Sequence, residues 1–187
     1  MKKIILALLV SVPCMAQKMA VNAVDPATGG KILLTESVEG NPPKNDESVV
    51  NNGLVFFSAG YHEVPAGNGL QGLYFISLNI VHHDKRVGCL TQETGRVLLT
   101  LEDGTEINCS QISATDCDPI GFTTDFMLVK KGGSVAEMKQ NFEKLQHTMI
   151  KRITIITTET AIKYGVKPAK RMLLAKHFAL VAESLKK

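Results

Sequence analysis

Two adjacent histidines and an aspartate, His82, His83 and Asp84, form the most ligand-like cluster of the sequence. Histidine and aspartate side chains bind zinc when three or four ligands meet at one point. The cluster follows a segment that alternates like a strand, and neighbouring strand residues point to opposite faces. We therefore expect both histidines to end a strand in solvent, and we predict no metal site and no cofactor.

Nucleophilic catalysis needs a serine or cysteine held beside a base. Ser58 and His62 are close in the chain, but a serine after a strand is common in turns. The sequence contains no Gly-x-Ser-x-Gly elbow, which presents the serine in many hydrolases. Paired carboxylates can still meet in space. Catalytic residues are therefore left unassigned, and the sequence favours a non-enzymatic protein.

Three cysteines follow the N-terminal segment: Cys89, Cys109 and Cys117. One disulfide and one free thiol is the simplest arrangement in an oxidising compartment. We predict the bond Cys109–Cys117, which closes a short loop. The pair Cys89–Cys109 is an alternative if their strands are neighbours, and a third interpretation leaves three buried thiols. Asp116 and Asp118 would raise the pKa of the Cys117 thiol, so we expect no activated nucleophile there.

The first sixteen residues have the layout of a secretory signal peptide. Two lysines precede an apolar run, Ile4 to Val12, and Ala16 supplies a small residue before the cleavage point. The run is much shorter than the roughly 20 residues that span a bilayer. We predict removal of residues 1–16 and export to the periplasm or the medium. Lipidation of Cys14, which would anchor the protein to a membrane, is the alternative.

Charge and hydropathy argue against two classes of partner. The full chain has a net charge of +3, and removing its two N-terminal lysines leaves +1. A nearly neutral protein lacks the broad basic surface that binds nucleic acid. The most apolar later stretch, Met172 to Ala182, is interrupted by Lys176 and His177, so we predict no integral membrane span.

Turn residues and hydrophobic periodicity divide the exported chain into two parts. Residues 17–52 are rich in Gly, Pro and polar residues, which predicts a poorly ordered N-terminal arm with one short strand, Lys31–Thr35. Residues 53–187 are predicted to form a single α+β domain with a loop at Val64–Gly72. The predicted strands of this domain include Leu54–Ser58, Leu73–His82, Arg86–Thr91, Phe122–Lys130 and Ile150–Thr158.

The clearest local feature is a hairpin over residues 96–110. A two-residue turn would mix polar and apolar side chains on each face. A three-residue loop, Glu102–Gly104, instead sets Leu99 opposite Ile107 and keeps one face apolar. We expect that register, with Cys109 pointing inward and the loop glycine in the left-handed region.

Two helices are expected in the C-terminal half, at about residues 134–148 and 168–186. Ser134 starts the first with the spacing of a capping box, and Pro168 suits the first turn of the second. Strands in succession followed by late helices predict an α+β fold, a mainly antiparallel sheet or sandwich with two helices packed on it.

Four features then occur in a fixed order: a signal ending in Ala16-Gln17, a hairpin turn at Leu101–Gly104, an Ile-rich strand at Ile153–Ile156, and a last helix after Tyr164–Val166. In this layout the chain resembles small uncharacterised exported proteins of Bacteroidetes. The resemblance covers about residues 73–187. It implies an α+β fold and a location in the cell envelope, and it implies no catalytic residues.

These observations favour a non-enzymatic envelope accessory or binding module. A long strand such as Leu73–His82 could accept a strand from another envelope protein if it lies at a sheet edge. The alternative is a small envelope hydrolase, or an inhibitor of one, whose site the sequence does not identify.

Overall fold

The computed structural model describes residues 17–40 and 54–187 and contains a ten-stranded sheet and two helices. The strand pairs of the described chain are antiparallel, and the predicted α+β class is confirmed. The strands are β1 Met19–Val24, β2 Lys31–Thr35, β3 Val38–Gly40, β4 Leu54–Ala66, β5 Gly69–Val81, β6 Arg96–Leu101, β7 Glu106–Gln111, β8 Gly121–Met127, β9 Ile150–Ile156 and β10 Ala161–Gly165. The helices are α1 Val135–Leu145 and α2 Pro168–Ser184, and a short 3₁₀ helix spans Lys85–Val87.

The sheet is curled around α2. Its strand order is β1-β2-β4-β5-β8-β7-β6-β9-β10, with β3 paired to β4. α2 packs against β2 and β4 near one end of this order and against β9 near the other. Six strand spacings of about 4.8 Å separate β2 from β9, and α2 packs less closely on the strands between β4 and β9. The two ends of the strand order therefore approach each other around the helix.

The concave face of the sheet and one face of each helix enclose the hydrophobic core. α2 contributes Leu174, Phe178 and Val181, whose spacing of three and four residues places them on one helical face. α1 contributes Met138 and Phe142 and packs on β5 and α2. The strands alternate between core and outer face. The fully buried residues of β5 are Ile76, Leu78 and Ile80.

Polar contacts attach both ends of α2 to the sheet. Lys31 Nζ donates a hydrogen bond of 2.7 Å to the carbonyl oxygen of the last α2 residue, where the helix dipole favours a positive charge. Near the other end, Arg171 Nη1 lies 2.7 Å from Glu102 Oε1 in the β6–β7 turn. In the same turn, Asp103 pairs with Lys144 of α1 at 3.0 Å. One turn therefore contacts both helices.

The β6–β7 hairpin has the predicted register. Leu99 pairs with Ile107 and Val97 with Cys109. The N–H of Leu101 bonds to the Thr105 carbonyl at 2.8 Å, which leaves the expected three-residue loop between them. The loop glycine has a φ of +84°. The alternation of polar and apolar side chains along the two strands therefore predicts the register of this hairpin correctly.

The structure corrects the prediction for the N-terminal part. Residues 17–40 form β1, β2 and β3 and not a poorly ordered arm; the remainder of that arm, like the predicted signal peptide, lies outside the described residues. The short strand Leu54–Ser58 and the loop Val64–Gly72 belong to one hairpin, β4–β5. Pro65 had indicated a loop. It lies where β4 and β5 pair only with each other among the described residues, so its missing N–H removes no bond to a third strand.

Two other strand predictions change. Arg86–Thr91 is not a strand, because residues 85–87 form the 3₁₀ helix, which Asp84 caps by accepting the Arg86 N–H. Leu73–His82 lies largely in β5, as predicted. However, residues 75–81 of β5 pair with β4 on one side and with β8 on the other, so this part of the predicted strand is not a sheet edge and cannot accept a partner strand.

His177 of α2 is buried against the sheet, 2% exposed. Its ring is edge-on to Phe57, with ring centroids 6.3 Å apart. Neither ring nitrogen has a hydrogen-bond partner among the described residues. Burial disfavours the charged form and lowers the pKa of His177 to about 4. The folded protein therefore holds this histidine neutral at pH values where the unfolded chain is already protonated.

We expect His177→Met to reduce the acid sensitivity of the fold. The stabilising contribution is complete above the unfolded pKa of about 6.5 and is lost as the pH falls toward 4, by about 2 kcal/mol between pH 7.5 and pH 5. Urea denaturation at these two pH values measures the difference. His147→Met, which removes an exposed histidine, is the control and should keep the wild-type difference. The same loss in His177→Met as in the wild type would contradict this account.

Gly104→Ala tests the backbone of the β6–β7 turn alone. A Cβ at this position would meet no atom within 4 Å, so the substitution only forces alanine into a φ of +84°. We expect the free energy of unfolding to fall by about 1–2 kcal/mol, measured by urea denaturation. Gly69→Ala is the matched control, because that site is equally open but lies outside the left-handed region. Equal losses at the two sites would show that φ is not the cause.

Candidate functional site

β1 is an open edge of the sheet, here called the β1 edge and defined as Met19–Val24. Among the described residues it pairs with β2 alone. It contains no charged residue and no proline, which are two of the devices that protect edges from pairing. Its register against β2 shifts between Met19 and Val21, so the regular part of the edge is Val21 to Val24. Most of its residues are exposed, and Val24 is 63% exposed. Within residues 17–40 and 54–187, no strand pairs with the outward backbone N–H and C=O groups of β1, and such groups can bond to an added strand.

The outer face of the sheet beside the β1 edge is apolar. The side chains nearest the edge on this face are Val21, Ala23, Ile32 and Leu34. Gly60 of β4 pairs with Leu34 on the side away from β1, so Val21, Leu34 and Gly60 form one row across three strands. A side chain there would overlap the ring of Phe75, which covers the glycine. In a strand added to β1, every second side chain would lie on this outer face and would extend its apolar surface.

The turn after β1 is fixed by its own hydrogen bonds. Asp25 Oδ1 accepts the Ala27 N–H and Asp25 Oδ2 accepts the Thr28 hydroxyl, both at 2.9 Å, and these bonds lower the pKa of Asp25. At the start of β2, the Lys31 N–H donates to Glu63 Oε2 at 2.8 Å, which lowers the pKa of Glu63. The β1–β2 hairpin is therefore held in place from its turn as well as from its strand pairing.

β10, the opposite edge in the described part of the chain, is less open to pairing. It spans Ala161–Gly165, carries the charged Lys163, and leads into α2 within a few residues. The residue that follows it, Val166, donates its N–H to the Lys151 carbonyl at 2.9 Å. Since a lysine on an edge strand disfavours strand addition, the β1 edge is the better candidate.

Sequence reasoning missed the β1 edge. Its two alanines, Ala20 and Ala23, weaken the alternation of larger side chains, and Asp25-Pro26 indicated a loop. A usable signal was β2, which was predicted correctly. A strand needs a hydrogen-bonded neighbour, and the turn signals Asp25-Pro26 and Gly29-Gly30 directly before β2 are compatible with a hairpin to the segment that precedes them.

The histidine cluster does not converge on one point. The expected exposure of both histidines is wrong for His82, which is buried with its ring centroid 4.5 Å from that of Phe122. Its Nδ1 accepts the Asp84 N–H at 3.1 Å. Burial lowers the pKa of His82. His83 is exposed with a φ of +51°, and the Asp84 carboxylate is paired with Arg86. Within the described part of the chain, no three potential metal ligands lie together.

Ser58 and His62 do not form a nucleophile–base pair. Both lie on the outer face of β4, but four residues on an extended strand separate them by roughly 13 Å. Ser58 pairs with Ser77 of β5. His62 Nε2 lies 3.9 Å from a carboxylate oxygen of Asp25. Ser58 and His62 therefore have different neighbours and do not lie side by side.

The structure corrects the predicted disulfide. Cys89 is bonded to Cys117, and Cys109 is a free thiol, so one disulfide and one thiol is confirmed while the pair Cys109–Cys117 is wrong. Cys109 faces the core from β7 and is fully buried, which raises its pKa. Leu90 and Asp116 exchange two backbone hydrogen bonds of 2.8 Å. This bridge brings the loops that carry the bonded cysteines together.

Comparisons with protein-family models, with curated proteins and with solved structures found no match for this chain. Neither of the helices in the described residues is long and apolar enough to cross a membrane. The functional interpretation therefore depends on the residues and their geometry.

Replacing Cys89 and Cys117 by serine should lower the free energy of unfolding by about 3.6 kcal/mol, because the bond joins residues 28 positions apart. Guanidinium denaturation measures the loss, and reducing the wild type should reproduce it. Thiol labelling provides the control. For a chain that begins at Gln17, we expect no labelled thiol in the native protein and one after denaturation without reductant. Two or more labelled thiols would contradict the disulfide, and a label that peptide mapping locates on Cys89 or Cys117 would contradict the assigned pairing.

Proposed function

We propose that this protein is an exported, non-enzymatic binding module that pairs with an extended segment of another envelope protein along the β1 edge. The observation that carries the proposal is the open, uncharged and proline-free strand Met19–Val24, which has β2 as its only partner among the described residues. Strand addition gives affinity through main-chain hydrogen bonds and selectivity through alternate side chains.

The neighbouring surface defines the partner segment. On the outer face, the row beside β1 begins with the pairs Val21–Leu34 and Ala23–Ile32. A segment with apolar residues at every second position would place them against this row and bury them. On the other face, Asn22 is exposed, so polar residues would fit the intervening positions. The expected partner is therefore an amphipathic extended segment.

Export is supported by two independent features. The lysine pair and apolar run before Ala16 have the layout of a signal peptide. The disulfide Cys89–Cys117 is of the kind that persists in oxidising compartments. Cleavage after Ala16 would leave β1 close to the new N-terminus, whereas lipidation of Cys14 would place β1 close to the membrane surface. Both forms keep the edge available.

Site-specific photo-crosslinking in cells tests the proposal. A photoreactive amino acid replaces Ala23 in the full-length protein, and the matched control replaces Ala169, which is exposed on α2. We expect a discrete adduct from position 23 and none from position 169, with the partner identified by mass spectrometry. The purified partner should then bind the wild type, and Ala23→Lys should weaken binding about tenfold or more, since an edge lysine opposes pairing.

Ala169→Lys is the control for the added charge and should leave the affinity unchanged. Both lysine variants should unfold at the wild-type temperature, because both positions are exposed. The proposal fails if position 23 yields no adduct, or if Ala23→Lys binds the partner as tightly as the wild type.

A further inference from the structure

We infer that a cleft on the outer side of β6 and β7 binds a small organic anion, one with a carboxylate or phosphate head and a short apolar tail. The cleft, here called the anion cleft, has a volume of about 250 Å³. Its walls are the loop Gln92–Gly95, the outward side chains of Arg96, Asn108 and Ser110, and Lys130 with Lys131. This site is separate from the β1 edge.

Charge selects the ligand head. Arg96, Lys130 and Lys131 line the cleft together with a single carboxylate, that of Glu93. None of the three cations forms an ion pair with another described residue. The chain as a whole is only slightly basic, with a net charge of +3. Three cationic side chains around one cleft are therefore a local concentration of positive charge. Arginine binds planar or tetrahedral anions through two parallel N–H bonds.

Polar groups on the sheet face complete the head site. Asn108 of β7 is half-buried, and its side chain forms no hydrogen bond to another described residue. It can therefore donate to one oxygen of an anion and accept from a hydroxyl. Ser110 lies two residues further along β7 and points to the same face as Asn108. Its hydroxyl donates to the Val129 carbonyl at 2.8 Å. That bond uses the hydroxyl proton, so Asn108 is the donor that the sheet face offers to the anion.

The cleft walls are held rigidly. Ser110 bonds to the Val129 carbonyl through both its N–H and its hydroxyl, which fixes the segment that leads to Lys130. On the opposite wall, Gln92 Nε2 donates to the carbonyls of Ile112 and Ser113 at 3.3 and 3.1 Å. These constraints prepare the site before binding, which lowers the entropic cost of ordering it.

The buried side-chain amide of Gln111 also helps to position the loop Gln92–Gly95. Gln111 is 5% exposed, and its Nε2 donates to the Ala114 carbonyl at 2.9 Å. The same nitrogen lies 3.4 Å from the carbonyl oxygens of Leu90 and Ser113. Three carbonyl oxygens fix which end of the amide faces them. The oxygen end packs against Gly95, where any side chain would overlap it. The loop therefore reaches β6 along one defined path.

A second cavity, of about 300 Å³, adjoins the anion cleft and would hold the apolar tail of the ligand. It shares Gln92, Ser110 and Lys131 with the cleft. Beyond these it is lined by Ile112, which is 36% exposed, and by the half-buried Met127. A ligand that places its head by Lys131 would cover these apolar side chains with its remaining carbons, and that burial is favourable.

Titration of the folded protein that begins at Gln17, followed by NMR of its backbone amides, tests the inference. The probes are inorganic phosphate, hexanoate and hexyl phosphate, with hexanol as the neutral control. We expect saturable shifts at Arg96, Asn108 and Lys131 with both tailed anions, a weaker affinity for inorganic phosphate, and no saturable shift with hexanol. Comparing hexanoate with hexyl phosphate identifies which head the site prefers.

Two variants separate head from tail. Lys131→Gln should weaken binding of every anion about tenfold, the effect of one charge-assisted hydrogen bond. Ile112→Ser should weaken only the tailed anions and leave inorganic phosphate unchanged. Lys176→Gln, which removes an exposed lysine on α2, is the matched control and should bind as the wild type does.

Three results would overturn the inference. Shifts that rise linearly with concentration would mean that the anions only screen surface charge. An equal loss in Lys176→Gln would mean that the binding is not local to the cleft. Saturable binding of hexanol with the affinity of hexanoate would mean that the site is apolar and does not recognise the anionic head.

Discussion

The packing of α2 inside the curled sheet is the contact on which the rest of the structure depends. Because this helix contacts β2, β4 and β9, strands far apart in the sheet order share one core. Its apolar face supplies Leu174, Phe178 and Val181 to that core. The ends are held by polar groups, with Lys31 at the last carbonyl and Arg171 against the β6–β7 turn. The curl therefore depends on a helix that is fixed along its length and at both ends.

With the concave face filled, binding surfaces can form only at the edges and on the convex face. There the polar loops are held by a disulfide and by hydrogen bonds, in addition to the buried side chains of Val87 and Leu90. The disulfide Cys89–Cys117 and the bridge between Leu90 and Asp116 join two loops that the strands alone leave free. Gln92 and the buried Gln111 add bonds to backbone carbonyls in the second loop. Rigid loops beside an open sheet face are a common basis for a binding site.

The sequence predicted those features whose determinants are local. The register of the β6–β7 hairpin follows from alternation on two adjacent strands, so Leu99 opposite Ile107 could be predicted. The disulfide could not, because it depends on which loops the sheet order brings together. The same holds for the anion cleft, whose walls come from three separated segments. The burial of His177 was recoverable in principle, since its spacing from Leu174 and Val181 places it on the apolar face of α2.

The two proposed surfaces are connected by one row of paired residues on the convex face. The row runs from Val21 through Leu34, Gly60, Phe75 and Met127 to Ser110 and Arg96. Its character changes along this path, from apolar at β1 to cationic at β6. Six strand spacings separate its ends, roughly 29 Å along the sheet. A partner strand seated on the β1 edge would therefore leave the anion cleft open, and each surface can be occupied without displacing the ligand of the other.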